Sequence, residues 1–118
     1  MNDIQKIIYQ CAKEGSQLWE IILEIQSVNT KFLDTKTGIS IVAYPHNSNI
    51  KPNDAIELFK NEYDFIKSNN LYLLKTKKLY DNNSLSILDS KEILKLTMED
   101  VSFNQNGPFY YLSDDVRL

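Results

Sequence analysis

The chain has 118 residues, a formal net charge of −3, and is 42% hydrophobic and 25% charged, which fits one soluble globular domain and excludes a linker, a collagen-like repeat or a low-complexity segment. Cys11 is the only cysteine and His46 the only histidine, so an internal disulfide and a structural zinc site are both excluded. Twelve of the 13 basic residues are lysine, and Arg117 is the only arginine; an acidic chain so poor in guanidinium forks is ill equipped to read DNA.

The opening residues, Met1 to Lys6, lack the basic start and long apolar run of a signal peptide. No apolar run approaches the ~20 residues that span a bilayer. The expected location is the cytoplasm. Polar side chains recur at Asp3, Lys6, Gln10, Lys13, Gln17, Glu20, Glu24 and Ser27, opposite Ile4, Ile8, Cys11, Gly15, Leu18, Ile22 and Ile25. That period predicts an amphipathic helix over 3–28, capped by Asn2 or Asp3. Gly15-Ser16 is its weak point, because a mid-helix glycine costs ~1 kcal/mol relative to alanine. The apolar stripe passes through Gly15 in phase, which favours one long helix, or two stacked end to end, over a helix followed by a strand in 19–25.

Phe32-Leu33 and Ile39–Tyr44 flank Asp34-Thr35-Lys36-Thr37-Gly38, the pattern of a β-hairpin whose Gly38 supplies a positive φ. Pro45 ends the strand and a polar loop carries His46. Pro52-Asn53-Asp54 opens a second helix, with Asn53 expected as its cap and Ile56, Phe59, Tyr63 and Ile66 on one face. Asn69-Asn70 ends it, since asparagine tolerates the left-handed conformation of a helix C-terminus. Leu71–Tyr80 and Leu85–Leu88 read as strands about a turn at 81–84. Leu94, Leu96 and Met98 alternate with Lys95 and Thr97, which predicts a further strand rather than a short helix from Ser90. Phe109–Leu112 is a last strand. Together these elements predict a single α+β domain over 1–118, with a long N-terminal helix and a central helix on a mostly antiparallel sheet of about five strands.

The chemistry-bearing motifs are few. Glycine at 15, 38 and 107 alone allows neither a dinucleotide-binding nor a phosphate-binding loop. No catalytic set, metal or cofactor is expected. A Cys11–His46 nucleophilic pair is the obvious enzyme hypothesis, but Cys11 falls within the apolar stripe, where a thiol is usually a small buried hydrophobe. The acid pairs Glu20/Glu24, Asp54/Glu57, Glu99/Asp100 and Asp114/Asp115 fall on solvated helix faces, in turns or in the tail, not in a cleft that would split their pKa values.

Charge is unevenly spread: residues 97–118 carry four acids and one base, while 31–52 and 71–96 are net basic. Seven tyrosines, five phenylalanines and Trp19 accompany the acids, and tyrosine suits interfaces because it joins a rigid apolar ring to a polar handle. Tyr110 and Tyr111 are adjacent in the last strand, so one is expected to face inward and one outward. The resulting candidate partner-binding set is Glu99, Asp100, Tyr110, Tyr111, Asp114 and Asp115. The expected function is a non-catalytic binding protein that inhibits or neutralises a basic partner protein such as a toxin or nuclease domain, in the manner of an immunity protein, antitoxin or phage-encoded inhibitor. No direct nucleic-acid or membrane contact is expected. The alternative is a small acidic export chaperone or adaptor, acting as a dimer that holds an extended peptide.

Overall fold

A computed structural model describes residues 1–27, 50–78, 84–101 and 107–115 together with the backbone of 31–33 and 40–42. The first helix, α1 (Asp3–Glu14), starts at a reciprocal cap: the Gln5 N–H donates to Asn2 Oδ1 at 2.8 Å, and the Asn2 N–H to Gln5 Oε1 at 3.1 Å. It ends at Gly15, where φ is +67°. A Cβ at Gly15 would meet open space, so the left-handed backbone alone favours glycine there. The Ser16 N–H folds back to Cys11 O at 3.0 Å, as is usual at a glycine-terminated helix. A new helix, α2 (Leu18–Gln26), follows, its entry held by the Gln17 N–H donating to Glu20 Oε1 at 3.1 Å. The expected long N-terminal helix is therefore two.

The break has a tertiary cause. Between the helices, Ser16 O accepts the Leu112 N–H at 2.9 Å and Gln17 bridges Tyr111, while the Asp114 N–H reaches Ala12 O at 3.3 Å. The linker thus runs beside the last strand and covers its edge, which would otherwise present unpaired backbone groups. The apolar stripe survives the break: Ile8, Cys11, Leu18, Ile22 and Ile25 are all buried, joined by Ala12 and Ile21.

Backbone pairing joins β1 (Lys31–Leu33) to β2 (Ser40–Val42) antiparallel, from Lys31 opposite Val42 to Leu33 opposite Ser40. The hairpin is as expected, while its turn, with Gly38, and the loop bearing His46 lie outside the described residues. The central helix is also two, α3 (Pro52–Lys60) and α4 (Tyr63–Ser68). The cap position falls on Lys51, not Asn53, because Pro52 occupies the first turn, where its missing N–H costs nothing. Glu62 leaves the helical conformation between them, and its carboxylate accepts the Gln5 side-chain amide at 2.9 Å. Ile56, Phe59 and Ile66 form the buried face, with Tyr63 packed against it. Asn70 takes φ +55°, the left-handed exit expected of it.

The sheet has the order β4-β3-β5, all antiparallel, built from β3 (Tyr72–Thr76), β4 (Ser86–Ile87) and β5 (Phe109–Ser113). Leu73 opposes Leu112, and Leu74 opposes Tyr111. The described residues therefore form a three-stranded sheet and a separate hairpin, not one sheet of about five strands. No strand forms at 93–98: α5 (Ser90–Leu94) and α6 (Met98–Val101) take its two ends, with 95–97 as the turn between them. The Glu92 N–H donates to Asp89 Oδ1 at 2.9 Å and the Asp89 N–H to Glu92 Oε1 at 3.3 Å. Asp100 Oδ2 likewise accepts the Thr97 N–H at 2.9 Å. Leu96 is buried and Lys95 and Thr97 are exposed, as the alternating pattern implies, but Ile93 is buried and Leu94 is 57% exposed, against it. Among the described residues, no helix is long and apolar enough to cross a membrane.

Candidate functional site

The six residues expected to form one acidic patch are dispersed. Tyr110 and Tyr111 are 8% and 6% exposed, so neither ring faces solvent as one was expected to. They point to opposite faces, as a strand requires, but both faces are covered: Tyr110 joins the main core with Leu112, and Tyr111 pairs with the buried Leu74 behind it. Asp100 is committed to the start of α6, while Glu99 beside it is exposed. Asp114 and Asp115 are exposed beyond the other end of β5. There the Asp115 N–H donates to Ser113 Oγ at 3.1 Å, which fixes the turn. Asp100 shares a surface hollow with Phe109 and Tyr110. The length of β5 therefore lies between Asp100 and the Asp114/Asp115 pair.

A wide concave surface among the described residues lies elsewhere, between α1 and α2. It encloses about 540 Å³. Four i, i+4 rows build it, because residues four apart stand one above the other on a helix. On the α1 side, Ile7 and Cys11 form the inner row and Lys6, Gln10 and Glu14 the outer one; on the α2 side, Trp19 and Leu23 accompany Glu20 and Glu24. Leu23 is 39% exposed, and Ile7 and Trp19 are half-buried. The Trp19 indole N–H donates to Gln17 Oε1 at 3.0 Å, which ties the ring to its own wall. Gln10 donates to Glu14 Oε1 at 3.0 Å. Three carboxylates and one ammonium thus surround an apolar floor.

Cys11 lies in that floor, 6% exposed. Burial pushes its thiol up from 9.0 to about 11, against a lowering hydrogen bond with Ser16, and the carboxylates of Glu24, Glu14 and Glu20 raise it further. The thiol is protonated at neutral pH and is not an activated nucleophile. Glu14, Glu20 and Glu24 all line the groove in which this thiol lies. His46, the other half of the hypothetical pair, lies outside the described residues. Among the described residues no cluster of histidine, cysteine or acidic side chains suits a metal ion.

Sequence reasoning missed the groove although a signal was present. Ile7, Trp19 and Leu23 fall off the apolar stripe and interrupt the polar face, and large apolar residues intruding on a polar face mark a second contact surface. No protein-family model matches the chain, and no curated protein or solved structure is significantly similar to it.

Proposed function

We propose that the protein is a non-catalytic binding module that inhibits or neutralises a basic partner protein, in the manner of an immunity protein, an antitoxin or a phage-encoded inhibitor. The supporting observation is the convergence of acids at one end of α1. The Asp114 N–H bonds to Ala12 O, so the exposed Asp114 and Asp115 begin beside the last turn of the helix that carries Glu14. A carboxylate in that last turn is disfavoured by the negative end of the helix dipole. Glu14 is held there by the Gln10 side-chain amide, which donates to its Oε1 at 3.0 Å. Across the groove, Glu20 and Glu24 extend the same negative surface. Such a field speeds the approach of a basic partner and repels nucleic acid and anionic membranes. Tyr110 and Tyr111 serve as the packed scaffold beneath Asp114 and Asp115.

The test uses the tagged protein as bait in extract of its own cells at low and high salt. A basic protein whose activity falls stoichiometrically on binding is the expected result. Asp114→Asn with Asp115→Asn should leave stability nearly unchanged and slow association, with the deficit shrinking as salt screens the field. His46→Ala should bind as the parent does. If His46→Ala abolishes function while the double asparagine variant behaves normally, the protein acts through a loop-borne histidine and the inhibitor reading is lost.

A further inference from the structure

We propose that the groove between α1 and α2 seats a lysine- or arginine-bearing amphipathic helix of the partner, its apolar side chains over Cys11 and Leu23 and its cations against Glu14, Glu20 and Glu24. The inference rests on the binding-module reading and adds the contact element and its chemistry. Three features of the groove select this occupant. Its apolar lining residues, Ile7 with Cys11 and Trp19 with Leu23, repeat at i, i+4, the spacing into which the ridges of a third helix pack. Its rim carries Glu14 on the α1 side and Glu20 and Glu24 on the α2 side against Lys6, a net negative charge that favours a cationic helix over an acidic one. Its apolar lining is incompletely covered: Leu23 exposes 39% of its surface on α2. A helix with leucine-like residues at i, i+4 and i+7 and flanking cations satisfies all three at once. An extended strand would gain little here, because the groove walls are helices with no free backbone edge to pair with.

Trp19, the only tryptophan, lines the groove and reports on it directly. The probes are a helical peptide of about 16 residues, long enough to form a helix in water, with leucines on one face and lysines beside them, and an oligolysine of equal charge. The expected result is a saturable change in Trp19 emission with the amphipathic peptide and none with oligolysine. Leu23→Ser, at an exposed position that leaves folding intact, should weaken the peptide by about fivefold through lost apolar contact. Glu14→Gln with Glu24→Gln should weaken both probes, and salt should mimic that loss. If oligolysine binds in an acid-dependent, salt-sensitive manner while the peptide binds no tighter and leaves Trp19 unchanged, the groove proposal falls and the acidic-surface reading stands. If neither probe binds at low salt, both fall. Circular dichroism of each variant confirms that a weakened response reflects the groove and not unfolding.

Discussion

The N-terminal helix pair and the C-terminal stretch from Asp89 to Asp115 are both acidic, yet their carboxylates do different work. In the C-terminal stretch, Asp89, Glu92 and Asp100 answer backbone N–H groups at the starts of α5 and α6. Those contacts stabilise short helices that would not persist alone. Beside the groove, Glu20 also serves a helix start, but Glu14 occupies the last turn of α1, where its charge opposes the dipole. The aromatic residues divide in the opposite way. Tyr110 and Tyr111 are consumed by the core, while Trp19 remains at a concave surface. An acidic or aromatic residue therefore points to function only after the demands of caps and core have been met. By that standard the groove, not the centre of β5, is the informative surface.

The contrast can be broken most severely through the core. Ile22→Asp places an unpaired charge on the buried face of α2, where Ile22 is fully enclosed, and should abolish the cooperative thermal transition. Leu94→Asp, at the exposed position on α5, should stay within about 0.5 kcal/mol of the parent. Equal melting of the two variants would contradict the placement of both helices.

The two well-placed glycines come next. At Gly107, φ is +76° and an added Cβ would lie 2.6 Å from Lys77 O, so Gly107→Ala combines strain with collision and should cost more than about 2 kcal/mol in urea unfolding. Gly15→Ala meets only the left-handed backbone, with open space around it, and should cost about 1 kcal/mol. A larger loss at Gly15 than at Gly107 would reverse the order derived from geometry.

Smaller effects separate structural from functional acids. Asp89→Ala removes a reciprocal cap and should cost about 1 kcal/mol. Glu14→Gln should be neutral or slightly stabilising, because it relieves the helix C-terminus of a negative charge. The buried thiol gives a further check through pH. Its folded pKa is raised from 9.0 to about 11, so between those values the unfolded chain binds fewer protons and stability falls as pH rises. The parent should therefore lose more stability across pH 9 to 11 than Cys11→Ala, and a difference that is flat with pH would place Cys11 in solvent.

The parts of the fold written as local periodicity were legible in the residues. The buried face of the N-terminal helices, the hairpin pairing, β3, β5 and the left-handed exit at Asn70 all follow from spacing or from one turn residue. The break at Gly15 was legible in part: Gly15-Ser16 stands out as the weak point, but the stripe stays in phase across it and the deciding bond, Ser16 O to the Leu112 N–H, joins residues far apart in sequence. The break at Glu62 was hidden by the same distance, since that residue leaves its helix to meet Gln5. The helices at 90–101 are a different case. Asp89-x-x-Glu92 and Thr97-x-x-Asp100 are helix-start signals in plain view, and the alternation of Leu94, Leu96 and Met98 outweighed them wrongly. The groove lay in the three apolar residues off the stripe, whose meaning depends on α1 and α2 diverging at Gly15.

The most direct test of the central claim is residue-resolved NMR of the uniformly 15N-labelled protein titrated with the lysine-bearing amphipathic peptide. Amide shifts should move along both groove walls, from Lys6 to Glu14 and from Trp19 to Glu24, with smaller movements at Asp114 and Asp115, while α5 and α6 stay fixed. Shifts centred on Glu99, Asp100 and the middle of β5, with α1 and α2 unmoved, would contradict it.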